Sequence, residues 1–292
     1  MDELHIAVYS IIGAALLVAT ITDIRKREVP DWLNYGLIFL GVSVRGIYSL
    51  IHWDYVPFLE GLIGLAVFVG LAYVMFYAGQ WGGGDSKLLM GIGSLIGIEL
   101  SVFTFDKFPF MLSFIINLMF FGAIYGLCWS LVLAVKNRKM FLKEVRKLSA
   151  VKKIKKIKIV LAIVLVVSFA ASFFIKNIAF KIMLLVFVML AAIGLYAWIF
   201  IKAVEKASMF KWYPPKRLTE GDWIADDVYI GKKYICGPKD LGIEKKQIAI
   251  LLKHKVKKVL VREGIPFVPS FLIAFIVNVF FQNWFLRFLV PF

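Results

Sequence analysis

Residues 11–30 read Ile11-Ile12-Gly13-Ala14-Ala15-Leu16-Leu17-Val18-Ala19-Thr20-Ile21-Thr22-Asp23-Ile24-Arg25-Lys26-Arg27-Glu28-Val29-Pro30. An apolar run meets an acid, then three basic residues, then a proline. Begun at residue 4, the run suits a bilayer-crossing helix, which needs about 20 mostly apolar residues. The basic cluster assigns its far end to the cytoplasm, where Lys and Arg are retained. The flank Met1-Asp2-Glu3 is acidic and no small-residue cleavage site follows, so the segment reads as a span rather than a cleaved signal peptide.

Seven further runs have span-like hydropathy, at 33–51, 57–79, 86–104, 109–135, 158–175, 178–201 and 267–289. Composition agrees. Of 292 residues, 61% are hydrophobic and only 18% charged, yet the net charge is +16. So few charges do not cover that much apolar surface in water, which excludes a soluble globule and a disordered chain. Nucleic-acid binding would explain the basic balance but not the apolar excess. Cys128 and Cys236 stand far apart, and His5, His52 and His254 are scattered. Neither a thiolate metal site nor a disulfide framework is expected, and no cofactor. The expected fold is an all-α polytopic membrane protein, with about eight transmembrane helices and a small cytoplasmic α/β appendage.

The loops alternate in charge. The loop after span 1 is basic, and that after span 5 carries a run of Lys and Arg from Lys136 to Lys158 against Glu144 alone. The intervening loops, His52-Trp53-Asp54, Asp106-Lys107 and Lys176-Asn177, carry little positive charge. Odd-numbered loops therefore read as cytoplasmic. The expected division is a transmembrane core at 1–135, a basic loop at 136–157, a transmembrane hairpin at 158–201, a small cytoplasmic unit at 202–265 and a last helix at 266–292. Within the small unit, Trp223 to Ile235 and Val256 to Val261 look strand-like, and Glu244 to His254 looks helical. The basic run has two readings: a helix on an anionic inner leaflet, or a simple topology signal. Arg45, Glu60 and Lys181 fall toward outer helix ends and read as snorkelling side chains, and Lys87 as snorkelling to the inner interface. Asn278 and Gln282 read as interhelical hydrogen-bond partners.

Asp23 and Asp85 stand out by position. One ends span 1 and the other begins span 4, within Gly82-Gly83-Gly84-Asp85-Ser86-Lys87-Leu88-Leu89-Met90-Gly91. The loop alternation places both at the cytoplasmic face, where two helix ends are able to meet. Paired carboxylates share a proton, so that one acts as base on a water and the other as acid toward a scissile amide. Gly82, Gly83 and Gly84 leave room for an extended substrate strand against the main chain. Each acid also has a plain reading: Asp85 as a helix N-cap and Asp23 as an interfacial acid beside Arg25 and Arg27. Asp23, however, lies at a helix C-terminus, where the dipole disfavours an anion. Asp31 after Pro30 reads as a cap of span 2.

Gly82-x-Gly84-Asp85 resembles the GxGD signature of membrane aspartic peptidases. Asp23 followed by Pro30 resembles the type IV prepilin peptidase branch, and residues 82–93 are similar to archaeal preflagellin peptidases. The closing run Arg287-Phe288-Leu289-Val290-Pro291-Phe292 resembles the end of those enzymes. The resemblance implies an aspartyl endopeptidase at the cytoplasmic face of the cell membrane. It would remove short basic leaders from preflagellin or prepilin-like precursors, with Asp23 and Asp85 catalytic and no metal. Asp31 stands where the bacterial branch often has Asn. The cysteine-rich loop of bacterial enzymes is lacking, so cleavage without N-methylation is expected. The likeness extends more weakly to presenilin-like proteases, whose Tyr-Asp motif is absent: Thr22 precedes Asp23. An ion-coupled transporter is the alternative of a different class, though its acids usually lie near the midplane. A basic leader approaching a basic face would need local acids, and Glu28, Asp31, Glu220, Asp222, Asp226 and Asp227 are the candidates.

Overall fold

The computed structural model describes residues 3–99, 109–281 and 284. Long helices occupy the apolar runs: α1 (Glu3–Lys26), α2 (Asp31–His52), α3 (Val56–Tyr77), α4 (Gly83–Ile96), α5 (Phe110–Lys136), α6 (Arg138–Ala150), α7 (Lys152–Ser172) and α8 (Ile178–Val204). Their ends have local causes. At Arg27 the chain turns left-handed with φ 61°, and Pro30 prevents continuation of α1. Pro57 sits in the first turn of α3, where its missing N–H costs nothing. Asn177 caps α8, its side chain accepting from the Ala179 and Phe180 N–H groups.

Five helical stretches are long and apolar enough to cross a membrane among the described residues: α1, α2, α3, α5 and Ile178–Met209. This differs from the eight expected, for two physical reasons. α4 has 14 residues and closes at Gly97, with φ 69°. Lys155, Lys156 and Lys158 occupy the first half of α7. The last expected span is described only as α10 (Val268–Phe281). The expected continuation of span 4 through residues 100–104, the loop residues Asp106 and Lys107, Gln282, and the closing run from Arg287 all lie outside the described residues. The polytopic all-α character stands.

The core is built from α1, α2, α3, α4, α5 and α10, with Leu16, Phe68, Leu88, Leu89, Ile92, Phe114 and Phe271 fully enclosed. α4 runs at its centre, against both α2 and α3. At one end of the bundle the Tyr9 ring stacks on Phe110, at a centroid distance of 4.7 Å. At that end Asn278 also donates to the Phe110 carbonyl at 3.0 Å, while accepting from Asn117 at 2.8 Å. Asn278 is thus interhelical glue, as expected.

Arg45 and Glu60 do not snorkel. Arg45 is buried; its Nε donates to the Leu95 carbonyl and its Nη1 to the Pro57 carbonyl, each at 2.8 Å, and its Nη2 donates to the Ile96 carbonyl. Glu60 lies 3.6 Å from the same guanidinium. The last carbonyls of a helix lack partners within it, and inside a bilayer water does not supply them. Arg45 fills that need for α4, and Glu60 balances its charge. Arg45→Met is expected to lower stability by about 3–5 kcal/mol, because it removes the cation facing Glu60 and the donor to three carbonyls. Thermal unfolding in detergent measures this.

The basic run forms α6 and the start of α7. Phe141, Val145 and Leu148 of α6 pack on Leu195, Ile199 and Ala203 of α8. The apolar face of α6 is therefore covered by protein, and Lys139, Lys143, Arg146 and Lys147 are exposed.

The small unit that follows contains β1 (Phe210–Tyr213), β2 (Trp223–Ile224), β3 (Val228–Ile230), β4 (Lys233–Cys236), α9 (Lys245–Lys253) and β5 (Val259–Arg262). An antiparallel sheet has the order β1-β5-β2, and β3 pairs with β4 as a hairpin. Leu218, Ile224, Ile235, Ile243, Leu251, Val259 and Val261 form its core. A capping box of Glu244 and Gln247 starts α9.

Candidate active site

Asp23 lies in the last turn of α1 and is only 6% exposed. Its own helix dipole disfavours a carboxylate there. A second helix offsets this. The Val268 N–H, at the start of α10, donates to Asp23 Oδ2 at 2.9 Å. The first N–H groups of a helix have no partner within it, and an anion suits that end of the dipole. Asp23 therefore caps α10 from across the bundle.

Asp85 is not the N-cap of α4. Gly82 holds that position, with φ −71° and ψ 165°, and the helix begins at Gly83. Asp85 falls within the first turn, where the dipole favours an acid. Its carboxylate turns back toward the Gly82 N–H. Gly84 explains how the two acids come to one place. A Cβ on Gly84 would stand 3.4 Å from both Cβ and N of Val29, so the glycine lies directly against the turn that follows Asp23. The Asp85 carboxylate is close enough to Asp23 to feel its charge. Gly83 is exposed and Gly82 and Gly84 are partly exposed, which leaves this main chain open to an incoming strand.

Other residues frame the pair. Trp81 is buried, with its ring 6.0 Å from that of Phe267 and 5.5 Å from that of Phe271. Gly79 turns with φ 65°, and a Cβ there would sit 3.2 Å from Trp223 Cη2. The small unit thus leans on the loop that leads into Gly82. Lys87 has a specific partner at this helix end, and Asp31 is not a cap. Pro30 holds the cap position of α2, and Lys87 Nζ donates to Asp31 Oδ1 at 2.6 Å, clamping α4 to α2. Lys87 also sits 5.2 Å from the centre of the Tyr35 ring.

The acids proposed to receive a basic leader are dispersed. Glu220 pairs with Lys245 at 3.1 Å, while Asp226 and Asp227 are exposed. Asp222 accepts from the Thr219 N–H at 2.8 Å. Burial raises the Asp222 carboxyl above the usual range; the Thr219 hydrogen bonds oppose this, and the charges of Glu28 and Glu263 reinforce it. Asp222 therefore lies near Glu28, in the turn after Asp23. Among the described residues, no group of three or more His, Cys, Asp or Glu is arranged to hold a metal ion.

Sequence reading missed Val268 and Trp223 as neighbours of the site. No local signal announces Val268, since its contact spans 245 positions and uses a backbone N–H. Arg27 reads from the sequence as a charge beside Asp23, but its bond to the Gly264 carbonyl, 237 positions away, does not.

Residues 10–127 match the type IV leader peptidase family. That stretch contains both acids and the three glycines. A preflagellin peptidase of Methanocaldococcus jannaschii is 35% identical over 124 residues, covering 38% of this chain and 52% of that protein. A preflagellin peptidase of Methanococcus voltae is 33% identical over 88 residues, covering 30% and 37% respectively. A prepilin peptidase of Methanothermobacter thermautotrophicus is 28% identical over 113 residues, covering 35% and 29%. The chain thus spans about half, or less, of the length of these relatives. Over residues 10–127 the chain is thus similar to the type IV leader peptidase family.

Proposed function

We propose that this protein is a membrane aspartic endopeptidase that cuts leader peptides from preflagellin or prepilin-like precursors, with Asp23 and Asp85 as its catalytic pair. The observation that carries the reading is the junction of α1 and α4. Gly84 packs on Val29 and brings Asp85 into the field of a buried Asp23. The ionised carboxylate takes a proton from a water between the two, and the protonated one gives its proton to the scissile carbonyl oxygen. As the tetrahedral diol collapses, the first acid gives its proton to the leaving nitrogen and the second recovers one from the diol hydroxyl. The open main chain of Gly82 to Gly84 would receive the scissile segment as a strand. Val268 N–H would hold Asp23 in orientation throughout the cycle.

The loops α1–α2 and α3–α4 and the small unit would face the cytoplasm, with the exposed bases of α6 turned to an anionic inner leaflet. Cleavage of a full-length precursor by the purified protein in detergent tests the proposal. Product of leader-shortened size is expected, and its formation should persist in EDTA, because two carboxylates suffice for this chemistry. Uncut precursor with the wild-type protein, or complete loss of cleavage on chelation, would refute it.

A further inference from the structure

Arg27 is where α1 stops, and its backbone is unusual. With φ 61° it adopts the left-handed conformation that glycine normally supplies at a helix end. A glycine would make this turn with less strain. The long side chain is retained against that preference, and its contacts show what it does. Arg27 Nη1 donates to the Gly264 carbonyl at 2.5 Å. Its guanidinium carbon lies 5.7 Å from the centre of the Trp129 ring, on α5.

Gly264 belongs to the short segment that leaves β5 and enters α10. The segment is fixed at its start: the Glu263 N–H donates to the Met209 carbonyl at 2.8 Å. The Glu263 carboxylate accepts from Lys211 Nζ at 2.6 Å and from the Tyr213 hydroxyl. At the other end of the segment is Val268, whose N–H donates to Asp23. The Arg27 N–H in turn donates to the Asp23 carbonyl at 2.9 Å. Asp23, Arg27, Gly264 and Val268 therefore close a ring, and the Arg27 side chain is the link that joins α1 to the segment.

We propose that Arg27 is a positioning residue for the reaction. By holding Gly264 it sets the start of α10 so that the Val268 N–H meets Asp23, and so makes the geometry of that acid depend on the small unit. The inference rests on Asp23 being one of the catalytic pair. It adds that residues 263–268, outside the matched 10–127, complete the site. Charge alone does not account for this role, since Arg25 and Lys26 carry the same charge at the same turn and are exposed as Arg27 is, yet the bond to Gly264 comes from Arg27.

The test uses the full chain in detergent with a precursor substrate. Arg27→Gly removes the guanidinium while relieving the backbone, so it should fold at least as well as the wild type. Its kcat is expected to fall roughly 30–100-fold, the scale of a 1 Å misplacement, with KM within about twofold. Arg27→Lys keeps a donor and should recover part of that loss. Lys26→Ala removes an equal charge outside the ring and should leave kcat within about twofold. Amide exchange over residues 264–268 should quicken about tenfold or more in Arg27→Gly, with the unfolding temperature unchanged. Wild-type kcat in Arg27→Gly, an equal loss in Lys26→Ala, or unchanged exchange across that segment would overturn the proposal. Asp85→Ala separates the two readings. If that variant still cleaves, the catalytic pair is wrong, whereas faster exchange in Arg27→Gly would still report the ring.

Discussion

Asp23→Asn is expected to give a folded protein that does not cleave its precursor. The asparagine carbonyl still accepts from the Val268 N–H, so the capping of α10 survives. What disappears is the ability to take up and release a proton. Asp85→Asn should behave alike, since a carboxamide still accepts from the Gly82 N–H. Each loss is expected to be on the order of 10⁴-fold, and the double variant little worse than either single one, because the two acids act as one unit. Asp23→Ala discriminates further. It removes the cap as well as the chemistry, and should cost an additional 0.5–2 kcal/mol, roughly, in unfolding free energy. Cleavage rates and detergent unfolding, measured on all four variants, separate the two roles. Retention of a tenth or more of wild-type activity by Asp23→Asn would show that Asp23 is only a cap.

How the site is assembled was readable in the sequence only in part. The long helices follow from hydropathy, because a bilayer imposes a length that apolar runs display directly. α2 and α5 start and stop within a few residues of the expected spans. Both acids stand out because they lie at helix ends on one face, and for Asp23 a helix C-terminal carboxylate is unfavourable and so calls for another explanation. That explanation, a backbone N–H from α10, leaves no trace in side-chain pattern. Arg45 and Glu60 did leave one. Opposite charges toward the facing ends of consecutive helices suggest a pair, yet hydropathy treats each as a lone snorkelling residue. Nor does hydropathy reveal that the carbonyls ending α4 need donors. Residues 86–104 read as a full span because Leu88 to Ile98 carries no charge. α4 is a short central helix because Gly97 turns the chain left-handed and Arg45 closes its end. β1 was missed since Phe210 to Tyr213 is short and becomes a strand only by pairing with β5.

The placement of Asp85 depends on main-chain contact between α3 and α4. A Cβ on Gly64 would stand 2.5 Å from the Gly93 carbonyl oxygen and 2.6 Å from Gly97 Cα. Both are backbone atoms, which do not swing aside as a side-chain end does, so the added methyl group must push α4 as a body. α4 is also held by the Lys87–Asp31 pair and by Arg45, so it has little freedom to absorb the push locally. Gly64→Ala is therefore expected to destabilise the protein by about 1–3 kcal/mol, the usual cost of overpacking. It should also lower cleavage up to about 100-fold, because the displaced helix carries Asp85 away from Asp23. Gly70→Ala is the control. It lies on the same helix with nothing within 4 Å of the new Cβ, and should be neutral or gain up to about 1 kcal/mol from helix propensity. The comparison needs only unfolding temperatures in detergent and cleavage rates. Wild-type values for both in Gly64→Ala would mean that the α3–α4 backbone contact does not set the position of Asp85.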